Sequence, residues 1–440
     1  MQVLLAYSGG LDTSFLVAWL TREQGHAVTT LAIDCGGWSA EERRSLEERA
    51  LALGAVAHLV VDARAELYQR VLRWLIAGNV RRGEVYPLSV GAERGLQAEI
   101  LAREAAARGF EAVAHGCTAA GNDQVRFEAA LATLAPELVV LAPVRELGLA
   151  RAEQRAWLEG HGLPLPPEGG AYSINAGLWG LTIGGRELLG SWDALPEEAW
   201  QWTRGARGSG TFVLGFERGQ PVSLDGERLG PVELVERLNA RAGALGVGRG
   251  YHLGDTVLGI KGRVAFEAPA AEILLLAHRE LEKLVLTEEQ RQWKDALGEQ
   301  YGRRLHMGLF HDPFQRDAEA FFASTQERVT GRARVRVDGG RALVEGVESP
   351  FSLMAMSDAR YGERAAQGTD PRAALGYARI LAEPGRLHRK AGLAATAAEN
   401  GVSAPTRRPP PTQGDGAKDA TQARAARGAA TGNPGLWRTP

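Results

Sequence analysis

Over residues 1–162, short apolar runs alternate with longer helical patterns, and this alternation narrows the possible fold more than any other feature of the chain. Runs at 3–7, 29–34, 57–61, 112–115 and 138–142 have the length of buried strands. Helical patterns at 41–53, 65–77, 96–107 and 151–161 lie between or after them. Repetition of this kind builds a doubly wound α/β domain, a parallel sheet with helices on both faces. Ligands bind such a sheet beyond the carboxyl ends of its strands. Ser8, Cys35 and Gly116 each follow a strand end, so three loops are expected to converge there.

The first loop carries chemistry. Ser8-Gly9-Gly10-Leu11-Asp12-Thr13-Ser14 separates the first strand from a helical pattern of Phe15, Leu16, Ala18, Trp19 and Leu20. Glycines let backbone approach a ligand, the first helical turn has N–H groups without partners, and the helix dipole favours negative charge there. Ser8, Thr13 and Ser14 add hydroxyls, and Asp12 can hold a metal or orient a phosphate. The pattern is neither a Walker loop nor a dinucleotide fingerprint. It resembles the S-G-G-x-D-(T/S)-S loop of the ATP pyrophosphatases, which cleave ATP between the α- and β-phosphates. Asp34, before Cys35-Gly36-Gly37, either marks the adenosine or caps a turn.

Composition removes several alternatives. With 51 Lys+Arg against 53 Asp+Glu, the chain carries a formal net charge of −2, and only its C-terminal tail is basic. A nucleic-acid footprint is therefore not expected. Two cysteines, Cys35 and Cys117, allow neither a disulfide framework nor a Cys-rich zinc site, and no metal-binding cluster is expected. No apolar run is long enough to span a bilayer and no signal peptide is evident, so a soluble cytoplasmic protein is expected.

A Pro/Gly-rich stretch at 163–170 marks a domain boundary. Beyond it, alternating runs at 210–217 and 222–224, helical patterns at 231–242, 270–286 and 287–301, and a hairpin signal at Asp338-Gly339-Gly340 between 331–337 and 342–347 read as an α+β domain. An amphipathic pattern at 371–383 precedes a segment of Ala, Gly, Thr, Pro and Arg from residue 392, expected to be disordered. The expected division is 1–165 nucleotide-binding, 170–362 synthetase, 363–391 C-terminal helical and 392–440 tail.

The second informative stretch is His115-Gly116-Cys117-Thr118-Ala119-Ala120-Gly121-Asn122-Asp123-Gln124-Val125-Arg126-Phe127-Glu128. Arg126 suits a carboxylate, Asp123 an ammonium, and Asn122 both donates and accepts, so an amino-acid ligand is expected. With A-Y-S-G-G-L-D-T-S, this G-N-D-Q-V-R-F-E run resembles argininosuccinate synthase. So do Tyr86-Pro87-Leu88, Tyr172-Ser173, Leu178-Trp179-Gly180, Gly246-Val247-Gly248-Arg249, Gly259-Ile260-Lys261-Gly262-Arg263, Ala277-His278 and Val329-Thr330-Gly331. The resemblance implies a HUP-like ATP-pyrophosphatase domain followed by a synthetase domain. It also implies ATP- and Mg²⁺-dependent joining of citrulline and aspartate through a citrullyl-adenylate, and a homotetramer of the C-terminal elements. Ala6, Tyr7, Ser8, Gly9, Gly10, Leu11, Asp12, Thr13, Ser14 and Gly116 would bind ATP. Thr118, Asn122 and Asp123 would face aspartate, and Tyr86, Asn122, Arg126, Ser173 and Thr182 citrulline, with Asp255 compensating nearby. Asp12, Asn122, Asp123 and Arg126 would be the catalytic set.

Departures concentrate in the acceptor region. Ala119-Ala120 replaces a glycine-lysine, Val90-Gly91 a Thr-Ser pair, Glu93-Arg94-Gly95 an Ala-Arg-Pro run and Gly37 a glutamine. Gly254 replaces a glutamate and Phe266 a tyrosine. Two alternatives therefore stand beside the main reading: an AMP-forming ligase joining aspartate to a different ureido or amide acceptor, and a non-catalytic nucleotide-binding subunit.

Overall fold

The computed structural model describes residues 1–166 and 172–399. Strands β1 (Gln2–Ala6), β2 (Ala27–Asp34), β3 (Ala57–Asp62), β4 (Ala112–His115) and β5 (Val139–Leu141) form a parallel sheet in the order β3-β2-β1-β4-β5. The chain winds outward from β1 to β3, then returns to build β4 and β5 on the other side. The crevice at the carboxyl ends of β1 and β4 is thus the switch point where ligands settle. The central strand is apolar from Val3 to Ala6 because both its faces are covered: Val3 and Leu5 belong to one core cluster with Phe15 and Leu16, and Leu4 to another with Leu72 and Leu101. The helices Leu11–Arg22, Ala40–Ala52, Arg94–Arg108 and Arg151–Gly160 supply these layers.

One expected helix is interrupted. The pattern at 65–77 folds as Arg64–Leu67, a wider π turn at Tyr68–Leu72, and Arg73–Ala77. The π turn belongs to a segment whose Tyr68 hydroxyl donates to Gln220 Oε1 at 3.1 Å. The polar contact and burial of Tyr68, Val71 and Leu72 fix a local winding that hydrophobic spacing alone did not reveal.

The later residues add β6 (Ser173–Gly177), β7 (Gly180–Gly184), β8 (Ser209–Glu217), β9 (Gln220–Leu224), β10 (Glu227–Arg228), β11 (Arg249–Asp255), β12 (Lys261–Glu267), β13 (Gly331–Asp338) and β14 (Arg341–Glu348). They form two antiparallel sheets, β10-β9-β8-β13-β14 and β11-β12-β7-β6. Helices Pro231–Gly243, Pro269–Val285, Glu288–His306 and Pro313–Gln326 complete this half. The halves are joined at the β6–β7 turn. Leu178 N donates to Cys35 O at 2.8 Å, and Gly36, at φ +96°, lies so close to Leu178 that a side chain there would press on its backbone. The fully buried Trp179 donates from Nε1 to Pro87 O at 3.0 Å. Leu178-Trp179 is a docking device.

Met1–Ser357 is one compact unit, and a second begins at Asp358. In the second, Pro371–Leu381 is capped by Asp370, which accepts from Arg372 N, and Glu383–Glu399 follows. That helix runs past residue 392, where a disordered tail was expected to begin; its alanine-rich composition favours helix. Residues 400–440 of the expected tail and 167–171 of the expected boundary lie outside the described residues. Among the described residues, no helix is long and apolar enough to cross a membrane, and no group of three His, Cys, Asp or Glu side chains is placed to hold a metal.

Candidate functional site

The loop after β1 is held from behind and open in front. Gly9 has φ +72°, and a side chain there would collide with Leu46. Arg49 Nη1 donates to Gly9 O at 2.8 Å, fastening the neighbouring helix to the loop. The helix starts at Leu11 from Gly10, which offers no side-chain cap, leaving its first-turn N–H groups for a ligand. Ser8 and Gly10 are exposed, and Ala6 and Asp12 are half-buried. Tyr7, Leu11, Thr13 and Ser14 are buried beneath them. Thr13 Oγ1 donates to Gly10 O at 3.2 Å and lies 3.3 Å from Ser8 Oγ. Asp12 Oδ1 and Ser14 Oγ are buried without a hydrogen-bond partner among the described residues. Gly116 packs onto this turn: a Cβ there would come within 2.9 Å of Thr13 Cγ2. Asp34 caps its own turn, accepting from Gly36 N at 2.8 Å and Arg43 Nη1 at 3.0 Å.

A cleft of about 240 Å³ lies at the amino end of helix Asn122–Leu134. Its lining brings together Tyr86, Asn122, Asp123, Arg126, Thr182 and Asp255 from distant parts of the sequence. Asn175, His252 and His306, which no local motif had marked, also line it. Thr118 and Ser173 do not: Thr118 is exposed in the turn before the helix, and Ser173 is exposed on β6, two residues before Asn175. One floor of the cleft is a cross-strand row in which Asn175 pairs with Thr182 and Thr182 with Phe266. The Tyr86 ring lies 5.2 Å from that of Phe266 and stacks on that of His252 at 5.6 Å. A groove of about 840 Å³ over β8 and β9 contains none of the expected residues.

The charges in the cleft are interlocked. Asp123 pairs with Arg94 at 3.0 Å and Arg126 at 2.8 Å. Burial pushes its carboxyl up, but the two guanidiniums overcome this and hold it down at about 2. Arg126 also donates from Nε to His306 O at 2.8 Å and from Nη2 to His306 Nδ1 at 2.9 Å. Asn122 Oδ1 accepts from Val257 N at 2.8 Å and so holds the turn between β11 and β12. Asp255 is exposed and paired with Lys261 Nζ at 2.6 Å.

Behind the cleft, Glu93 is 1% exposed, and its Oε1 has no hydrogen-bond partner among the described residues. It lies against Gly177, where any side chain would overlap it. Burial, partly opposed by Arg94 and reinforced by Asp123 and Asp34, pushes its carboxyl up to about 8. An unfolded glutamate ionises near pH ~4.3, so between there and about 8 the folded chain binds the extra proton. Over that window stability falls as pH rises, by about 1.4 kcal/mol per unit from this group. Glu93→Gln is expected to remove that slope. Denaturation midpoints of the two proteins at pH 5 and 7.5 measure it, and parallel curves would refute the assignment.

Comparison with known proteins places these features together. Residues 2–164 match the family model described as Arginosuccinate synthase N-terminal HUP domain, and residues 172–387 match Arginosuccinate synthase C-terminal domain. The argininosuccinate synthase of Thermosynechococcus vestitus is 42% identical over 392 residues, 88% of this chain and 97% of that protein. That of Symbiobacterium thermophilum is 40% identical over 392 residues, with the same coverage. That of Methanocaldococcus jannaschii is 40% identical over 364 residues, 82% of this chain and 92% of its own.

Proposed function

The chain belongs to the argininosuccinate synthase family, and we propose a division of labour among its residues for the family's ATP-dependent ligation of citrulline and aspartate. Ser8, Gly9, Gly10, Asp12 and Thr13, with the first-turn N–H groups, receive the triphosphate. Ala6, Tyr7, Leu11, Ser14 and Gly116 shape the surface on which it rests. Asn122, Asp123, Arg126 and Tyr86 face the amino-acid substrates, with Thr182 on the opposite wall and Thr118 and Ser173 at its approaches. Asp255 stands at the rim. The reaction needs the ureido oxygen placed against the α-phosphorus and the aspartate amine placed to displace AMP. Positioning and charge stabilisation serve both steps without a covalent protein intermediate.

The single observation carrying this reading is the connection between loop and cleft. Gly116 packs on Thr13, and the same connecting segment ends at Asn122, Asp123 and Arg126. Asp12 suits Mg²⁺: a carboxylate beside a triphosphate needs a cation between them, and its Oδ1 has no partner among the described residues. Bound there, the ion would neutralise phosphate charge. Citrulline-like and aspartate substrates, a homotetramer and a cytoplasmic setting belong to the same reading. With the full chain, ATP, Mg²⁺, aspartate and a ureido acceptor, equal amounts of AMP and pyrophosphate are expected, dependent on both amino acids. Nucleotide binding with no AMP for any ureido acceptor would favour a non-catalytic subunit.

A further inference from the structure

A triphosphate carries more negative charge than one divalent ion cancels, so a side-chain cation belongs at the Ser8–Ser14 loop. The sequence limits what it can be. The first lysine of the chain is Lys261, and Ala120 stands where the resemblance places a lysine. A permanent side-chain cation within the nucleotide-binding domain must therefore be an arginine.

Most of the arginines tied to this edge of the sheet are already committed. Arg49 donates to Gly9 O at 2.8 Å and to Ser45 Oγ at 3.3 Å, and Arg43 to Asp34 at 3.0 Å. Arg145 donates to Glu128 at 2.7 Å, while Arg94 and Arg126 share Asp123. Arg151 is the exception. Its one ion pair among the described residues is Nη1 to Asp12 Oδ2 at 3.8 Å, too long for a hydrogen bond, and its side chain is mostly exposed.

The backbone of Arg151 is nonetheless fixed beside the loop. Helix Arg151–Gly160 lies along helix Leu11–Arg22 and runs in the same direction. Arg151 meets Asp12 at the amino ends, and Trp157 stands edge-on to Phe15 with ring centroids 5.3 Å apart. At the carboxyl ends His161 Nε2 lies 3.9 Å from Glu23 Oε1. Arg151 is the first residue of its helix, where the helix dipole disfavours a cation. It does nothing for the helix there, yet it sets a mobile guanidinium on a rigid mount at the mouth of the loop.

The two faces of the sheet indicate which phosphates it meets. Phe15, Leu16 and Leu158 of this helix pair belong to one core cluster. Leu96, Leu101 and Phe127, from helices Arg94–Arg108 and Asn122–Leu134, belong to the other. The amino-acid cleft opens at the start of helix Asn122–Leu134. An α-phosphorus turned toward that cleft leaves the β- and γ-phosphates on the side of Arg151.

We propose that Arg151 swings from Asp12 to grip the β- and γ-phosphates of ATP, supplying the cation that Ala120 does not. The inference rests on the ligase reading above and adds a substrate-binding residue to it. A guanidinium fork spans two phosphate oxygens, which an ammonium does not.

The test measures dissociation constants of ATP, AMP and inorganic pyrophosphate, each with Mg²⁺, by titration calorimetry on the full chain. Arg151→Ala is expected to weaken ATP and pyrophosphate by about tenfold while AMP stays within about twofold. Arg151→Lys recovers part of the loss, and neither variant melts at a lower temperature than the parent. Pyrophosphate bound equally well by the parent and Arg151→Ala overturns this inference and leaves the ligase reading standing. So does an equal loss for AMP and ATP, or a lowered melting temperature, since either makes Arg151 a structural support of the loop. A parent chain that binds none of the three overturns both readings.

Discussion

Asp12→Asn is expected to lower the rate of AMP formation by about 10²–10³-fold while leaving the melting temperature nearly unchanged. The two effects separate because of what the carboxylate touches. Its Oδ1 has no hydrogen-bond partner among the described residues to lose. Its Oδ2 lies 3.8 Å from Arg151 Nη1, a side chain that is 64% exposed. Such a surface pair contributes little, and an acid in the first helical turn adds only about 0.3–1 kcal/mol through the dipole. The activity loss is larger because asparagine keeps the shape but removes the negative charge that a phosphate-bound cation requires. Initial rates at saturating ATP and Mg²⁺, set beside a thermal melt, distinguish the cases. A kcat within about threefold of the parent would remove Asp12 from the catalytic set.

The five-stranded sheet was legible because buried parallel strands are written as unbroken apolar runs, and β1 to β5 follow those runs to within a residue or two. The Ser8–Ser14 loop was legible for the same local reason, since glycines and hydroxyls must sit together to make an anion cradle. The β11-β12-β7-β6 sheet was not. Its strands contain Gly177, Gly180, Gly184, Gly250, Gly254 and Gly262, and glycine blurs the two-residue alternation that marks a strand. The cleft wall suffered most from this. His252 on β11 and His306 at the end of a helix meet only after folding, far from Arg126 in sequence; His252 follows the Gly246–Arg249 motif by three residues without belonging to it, and His306 stands outside every motif. Asn175 was hidden by the same sheet, although it pairs with Thr182, which the resemblance had marked. Helix Pro313–Gln326 had a signal that went unread: Asp312 caps it and Pro313 opens it.

Lys294→Met is expected to destabilise the fold by about 3–5 kcal/mol, because it strands a carboxylate inside the core. Lys294 is fully buried; its Nζ lies 3.0 Å from Glu282 Oε2 and donates to Ala77 O at 3.0 Å. Glu282 is 1% exposed and accepts from Asn79 Nδ2 at 2.6 Å and Gln326 Nε2 at 2.7 Å. Burial would raise its carboxyl, yet Lys294 and His278 outweigh that and hold it below the ordinary range. Methionine matches the length of the lysine stem, so packing changes little and the lost charge dominates. Glu282→Gln in the Lys294→Met background should then recover part of the loss, and the coupling between the sites is read from chemical denaturation of the four proteins. Additive losses would show that the ion pair contributes nothing of its own. The site has a stake in the outcome. Lys294 and His306 share the helix Glu288–His306, and Ala77 and Asn79 begin the segment that leads to Arg82 and Tyr86. The buried pair fixes where two walls of the cleft stand, so on the proposed reading the Lys294→Met protein should lose amino-acid substrate affinity before it loses nucleotide binding.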